Sequence, residues 1–230
     1  MSRQAMLVVV CGVAASAVSA APVLTNGSMT DLPSFNKAAP GWSVVSFTPD
    51  VIGPGGLGGF APGAPASPNG GTFAHLQAEL AGQGASPVTT SFAEAIETTV
   101  TGLEAGKVYE IAFYQANLQA VAGTEARFDP GQVAVTFAGV TKSSPTTPMF
   151  EGQGSQTWQL VKLEFTATQA AETLRFTAVD LPGVDSTTFP NSGFGGTSIG
   201  VDGVTITLIP SPGSFVLLAM SGAVVVRRRR

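Results

Sequence analysis

The chain has 230 residues, of which 11% are charged and 44% hydrophobic, with 28 glycines and 16 prolines. One histidine and one cysteine exclude a two-histidine zinc motif and a disulfide framework. Of the 11 Lys and Arg residues, five are Arg3 and Arg227–Arg230. The stretch between keeps 6 basic residues against 15 acidic ones, a net charge of −9, and excludes the basic face that phosphate-backbone binding requires.

The first element in chain order is an export signal. Arg3 is a short basic region, Ala5–Ala15 an apolar run, and Val18-Ser19-Ala20 a small-residue cleavage site. Residues 1–20 are therefore expected to be a signal peptide, and the one cysteine, Cys11, lies within it. A single domain is expected over residues 21–209, large enough to build a core without disulfide or metal staples.

Strand alternation dominates that domain. Ser43–Thr48 and Thr72–Gln77 read as early strands, although Phe73–Leu80 carries a competing helical signal. Thr98–Leu103 is a strand ending in the turn Glu104-Ala105-Gly106-Lys107. Val108–Leu118 sets Tyr109, Ile111 and Phe113 against Glu110, Ala112 and Tyr114. Gln132–Val140 places Val133, Val135 and Phe137 on one face. Thr157–Thr168 does the same with Val161, Leu163 and Phe165, opposite Lys162 and Glu164. Thr173–Val179 turns Leu174, Phe176 and Ala178 inward and Arg175 outward. Ile199–Leu208 groups Val204, Ile206 and Leu208. Short strands at fairly regular spacing predict an all-β antiparallel two-sheet β-sandwich. Two irregular stretches interrupt it. Val51–Gly71 contains Gly53–Gly71, where 12 of 19 residues are Gly or Pro, and reads equally well as a mobile spacer. Leu181–Gly200 is the second long loop.

The chain ends in Pro210-Ser211-Pro212, the apolar run Phe215–Val226, and Arg227, Arg228, Arg229 and Arg230. Gly213–Val226 would span about 21 Å as a helix, short of the ~30 Å hydrocarbon core. The arginines mark a cytoplasmic side, so the domain is expected outside. This order of parts resembles the PEP-CTERM sorting signal of Gram-negative and related bacteria. The resemblance implies transient membrane insertion as a single transmembrane sorting helix (210–230), recognition by an exosortase-type processing enzyme, and release to the envelope or the extracellular matrix. Ser211 stands where that family usually has Glu.

Few residues carry chemistry. A His-dependent triad would have to use His75, and no Gly-x-Ser-x-Gly elbow accompanies it, so a structural or surface role is expected. Gly53-Pro54-Gly55-Gly56-Leu57-Gly58 matches G-x-G-x-x-G formally but lacks the flanking strand and helix, and reads as a loop. Paired carboxylates for glycoside hydrolysis would draw on Glu94 and Glu97, or on Asp180 and Asp185, all read as solvated strand-end and loop charges. Trp42, Trp158, Tyr109 and Tyr114 are the aromatics available to stack on a sugar or to fill a core. Asn26-Gly27-Ser28 reads as a turn.

Asn26-Gly27-Ser28, Pro40-Gly41-Trp42, Val100–Tyr109, Phe113-Tyr114-Gln115-Ala116, Trp158–Thr168 and Val201-Asp202-Gly203-Val204-Thr205-Ile206 together resemble the galactose-binding-like jelly roll of carbohydrate-binding modules. That resemblance implies sugar binding, with Trp42 and Trp158 as candidate ligand-binding residues. It also implies a structural calcium ion at Asp202, with partners near the first strand, where Thr30 and Asp31 stand. The expected protein is an exported, non-enzymatic structural or adhesive component of a biofilm or envelope matrix, with polysaccharide as its partner. A dedicated carbohydrate-binding module and a secreted glycoside hydrolase are the alternatives.

Overall fold

The computed structural model of the chain describes residues 21–58, 61, 64–82, 89–118, 120–122, 125–127, 129–147, 157–181 and 195–210. Residues 1–20, expected to be a signal peptide, residues 182–194 including Asp185, and the tail from Ser211 through Arg230 lie outside the described residues. Among the described residues every regular element is a strand, and no helix is long and apolar enough to cross a membrane.

Thirteen strands follow in order: β1 Ser43–Ser46, β2 Asp50–Ile52, β3 Phe73–Glu79, β4 Phe92–Ala93, β5 Ala95–Thr101, β6 Val108–Asn117, β7 Ala120–Ala122, β8 Glu125–Arg127, β9 Gly131–Phe137, β10 Val140–Ser143, β11 Gln159–Thr166, β12 Ala171–Asp180 and β13 Thr197–Leu208. One sheet runs β1-β5-β12-β9-β10, the other β11-β6-β13-β3-β2 with β4 beside β3, and β7-β8 form a separate ribbon. All pairings are antiparallel.

The alternation predicted from sequence sets which side chains the sheets bury against each other. Ile96 and Val100 of β5, Ile111 and Phe113 of β6, Val133, Val135 and Phe137 of β9, Val161 and Phe165 of β11, and Leu174, Phe176 and Ala178 of β12 share one core, with Leu163 half-buried at its margin. Phe113 meets Phe176 edge-on at 5.0 Å across the two sheets, and Phe137 meets Phe165 at 5.8 Å.

Several boundaries differ from expectation for local reasons. Phe73–Glu79 is a strand, because its ladder with β13 outweighs the weak helical signal. Gln132–Val140 is not continuous: Ala138 and Gly139 take φ of 50° and 75° and turn the chain into β10. The strand at Ser43 ends at Ser46, where Phe47 takes φ 54°. The predicted loop Leu181–Gly200 is strand from Thr197 onward. In β13, Val201 and Val204 both face the core three residues apart, which strict alternation forbids. A register shift between Asp202 and Thr205, with Gly203 at φ 62°, absorbs the extra residue.

The Gly/Pro-rich stretch is not a spacer. Ile52, Ala61, Ala64, Phe73, Ala116 and Leu118 form a second apolar cluster on the outer face of the six-stranded sheet, with Leu57 and Trp158 packed against it. Turn hydrogen bonds from Gly55 to the Ala64 carbonyl and from Gly70 to the Ser67 carbonyl shape this covering segment. Asn26-Gly27-Ser28 is a turn, as expected. Its Gly27 carbonyl accepts from Val204 N–H at 2.8 Å, docking the N-terminal segment onto the β13 bulge.

Candidate functional site

The aromatics singled out from sequence lie in packed environments. Trp42 is only 6% exposed, lies 5.7 Å from Phe176 between ring centroids, and donates its indole N–H to the Asn26 carbonyl at 3.0 Å. Its ring is part of the core, which corrects the expectation that it faces a ligand. Trp158 is half-buried and stands edge-on to Phe73 at 5.0 Å. Its ring tip fills the space where a side chain at Gly200 would sit. Tyr109 is buried, and its hydroxyl accepts from Glu104 N–H at 2.8 Å.

Asp202 is fully buried, not a surface turn residue. Ser67 donates its hydroxyl to the Asp202 carboxylate, tying the Gly/Pro-rich segment to β13. Burial pushes the Asp202 carboxyl up to about 6, against the opposing pull of Ser67, the Gly203 N–H and Asn69. The donor set does not fit a calcium ion, which wants six to eight oxygens. The groups bonding Asp202 are Ser67, the Gly203 N–H and Asn69, which bring no second carboxylate to balance a dication. The expected partners are engaged elsewhere: Thr30 N–H bonds Asn26 Oδ1, and the Asp31 carboxylate pairs with Lys37. Among the described residues no group of three or more His, Cys, Asp or Glu could hold a metal.

A buried polar chain crosses β2, β3 and β13. Asp50 Oδ2 lies 3.1 Å from His75 Nδ1, and Ser198 Oγ lies 2.6 Å from His75 Nε2. The order Ser–His–Asp matches a nucleophilic triad. However, His75 and Ser198 are both 0% exposed, so the hydroxyl has no path to a substrate in this conformation. The chain joins three neighbouring strands of the six-stranded sheet, where a structural or a surface place was expected for the histidine. Glu94 is also buried rather than solvated. Burial raises its carboxyl, His75 opposes this and Asp50 reinforces it.

The accessible candidate lies at one end of the sandwich, where β3, β4 and β12 approach. A cleft of about 440 Å³ is lined by Phe47, Ala78, Leu80, Ser91, Phe92, Ala93, Thr177, Ala178, Val179 and Asp180, within the size range of small-ligand sites. Phe47 is 59% exposed and meets Phe92 at a tilt of 54°, with ring centroids 5.4 Å apart. Its backbone is in the left-handed region at φ 54°, which strains any residue with a Cβ. The Ser46 hydroxyl donates to the Ala93 carbonyl at 2.7 Å, fixing the two aromatics beside each other. Asp180, expected in solvent, is 4% exposed and accepts N–H bonds from Leu80 and Leu181, at 3.0 Å each. Burial first, then Asp129 and Glu79, push its carboxyl up to about 6 against these bonds. Behind Phe92, Arg127 pairs with Glu79 at 3.2 Å and lies over the Phe92 ring at 5.4 Å.

Sequence reasoning missed Phe47 and Phe92. Phe47 lay inside the predicted strand Ser43–Thr48 and Phe92 in no predicted element, so neither stood out as a site residue. Their meeting depends on β4 pairing with β3, a two-residue contact no periodicity reveals.

No family model matches the sequence, and no curated protein matches it. Solved structures do. A cyclase from Fischerella sp. TAU in complex with 4-(1H-Indol-3-yl)butan-2-one shares 13% identity, covers 84% of this chain and 98% of its own, and has a TM-score of 0.51. The Stig cyclase Fisc from Fischerella sp. TAU shares 14% identity over 84% of this chain and 98% of its own, with a TM-score of 0.50. At these identities the likeness establishes the fold alone. Sugar-binding domains are also among the structural neighbours: the C-terminal domain of EclA, a sugar-binding protein, shares 15% identity over 62% of this chain and 88% of its own. Its TM-score of 0.34 is too low to establish more.

Proposed function

We propose that this chain is an exported surface or matrix protein whose galactose-binding-like jelly-roll domain binds polysaccharide in the cleft between β3, β4 and β12. The observation that carries the reading is Phe47: a large aromatic held exposed, in a strained conformation, lining a cleft and tilted at 54° against a second aromatic. Strain of that kind persists where surrounding structure enforces it and clusters at ligand sites. An aromatic face matches the C–H face of a sugar ring. Residues 1–20 would direct export. Pro210, Ser211, Pro212 and the arginine-ended tail would hold a transient membrane precursor until an exosortase-type enzyme releases the domain.

The test is a glycan array on the full chain beside Phe47→Ala. Binding that disappears in the variant supports the reading; binding unchanged by it, or none to any glycan, overturns it. A second reading, an acid-catalysed activity, draws on Asp180, whose carboxyl near 6 holds a proton at mildly acidic pH. New reducing ends released from a bound polysaccharide, absent with Asp180→Asn, would favour it.

A further inference from the structure

The strands that end the two sheets differ in length. β1 and β10 end the five-stranded sheet with four residues each, and β2 ends the six-stranded sheet with three. At the other end of that sheet β11 has eight, Gln159–Thr166, and among the described residues no strand pairs with its outer side. Free edges are usually kept short, because an open row of N–H and C=O groups is a template for another strand. The ladder identifies the row. Ala167 N–H bonds the Lys107 carbonyl at 3.0 Å, so Val161, Leu163 and Phe165 bond β6, while Leu160, Lys162, Glu164 and Thr166 turn their backbone groups outward. The Lys142 ammonium, reaching over from β10, donates to the outward Glu164 carbonyl.

The side chains carry a second signal. Glu164 stands directly opposite Glu110 in the register, and like charges so placed repel. Lys162 bonds Glu110 at 2.9 Å, while no salt bridge among the described residues reaches the Glu164 carboxylate. On the same face Leu160 is 52% exposed. On the inner face Leu163 is half-buried at the margin of the core. An added strand that suited this edge would set a cation opposite Glu164, an anion opposite Lys162 and an apolar side chain opposite Leu163.

β11 itself is such a strand. We infer that two copies of this chain pair through β11, antiparallel, about a two-fold axis at Leu163. Lys162 of each copy then faces Glu164 of the other, Val161 faces Phe165, Leu160 faces Thr166, and the two Leu163 side chains meet. The outward-turned residues fall opposite one another, so four residue pairs each exchange two bonds, about eight N–H to carbonyl bonds in all. A slip of two residues either way sets Lys162 on Lys162 or Glu164 on Glu164, so charge fixes the register. Lys142 guards the edge, but it is an exposed, flexible side chain and gives up one hydrogen bond when the strands meet. The two six-stranded sheets become one continuous sheet. The inference does not rest on the glycan reading, since no residue of β11 lines that cleft.

The experiment is sedimentation velocity on the full chain from micromolar to submillimolar concentration, with two charge reversals. The wild type is expected to move from the 23.3 kDa of one chain to twice that mass as concentration rises. Glu164→Lys sets lysines opposite each other in both cross-strand pairs, and Lys162→Glu sets glutamates there. Each is expected to weaken association about tenfold. Mixing the two variants sets lysines of one chain against glutamates of the other, so the mixture is expected to associate as the wild type does. Recovery on mixing also shows that both variants are folded. Amide exchange at Leu160, Lys162 and Glu164 of the wild type should slow as the dimer forms. A mass that stays at one chain throughout overturns the inference. So does association that either variant leaves unchanged, or a mixture that associates no more tightly than its components.

Discussion

Trp42 and Asn26 are joined by an indole N–H to carbonyl bond of 3.0 Å that fastens the N-terminal turn to the core. The same Asn26 side chain donates to the carbonyls of Thr30 and Pro40 and accepts from Thr30 N–H. The turn is thus a closed polar knot with the Trp42 ring as its apolar plug against Phe176. Trp42→Ala is expected to cost about 3–5 kcal/mol in urea unfolding. Trp42→Phe keeps the packing and loses the N–H bond, at about 1 kcal/mol. A folded Trp42→Phe variant should keep full glycan affinity, which intrinsic binding titrations can check.

Gly27 sits under that knot. A Cβ there would collide with the Val204 carbonyl oxygen, a backbone atom on the β13 bulge that has no side-chain freedom to move. Gly27→Ala is expected to destabilise by about 1–3 kcal/mol. It should also raise proteolytic cleavage in the first residues of the domain, read by limited proteolysis and mass spectrometry.

Asp202 and Asp180 predict an unusual pH profile. Both carboxyls stand near 6 in the fold against 3.8 unfolded. Between those values the native state holds more protons than the unfolded chain, so stability falls as pH rises through about 6 and is greatest below about 4 for these groups. With solvent screening allowed for, each contributes about 1–2 kcal/mol to that fall. Asp31 and Glu172 have lowered carboxyls, so their stabilisation is lost only at more acidic pH and does not cancel the effect between 5 and 7. Melting temperature should rise from pH 7.5 to 5. Asp202→Asn should flatten the slope and stabilise the protein at pH 7.5. Adding calcium or a chelator should leave the transition unmoved, since Ser67, the Gly203 N–H and Asn69 bring no second carboxylate to Asp202.

Phe47 gives a test that separates strain from binding. Replacing it with Gly removes the left-handed penalty, whereas Ala keeps it. Phe47→Gly is expected to be about 1 kcal/mol more stable than Phe47→Ala by chemical denaturation, while both lose cleft binding. Equal stability of the two would show that the backbone there is not strained.

The tail predicts a mass. Protein recovered from the native envelope is expected to lack Arg227–Arg230 and residues 1–20 by intact-mass measurement. Retention of the four arginines would instead indicate a permanent membrane anchor.

The alternation in Val108–Leu118, Thr157–Thr168 and Thr173–Val179 determined by itself that this is a β protein and which side chains form its main core. A two-residue period is a local property, and burial on one face is enough to enforce it. The turn at Asn26-Gly27-Ser28 was legible from its local residue types. Only the tertiary structure decided the rest. Trp42 went to the core rather than to a ligand because Phe176, 134 positions away, offered it a packing surface. Glu94 and Asp180 were buried because strand ends converge on them, and Asp202 because a glycine-rich segment with no period of its own folds over the outer sheet face. Phe47 and Phe92 meet because β4 pairs with β3. Such contacts join residues far apart in sequence, where the chemistry of one partner says nothing about the position of the other.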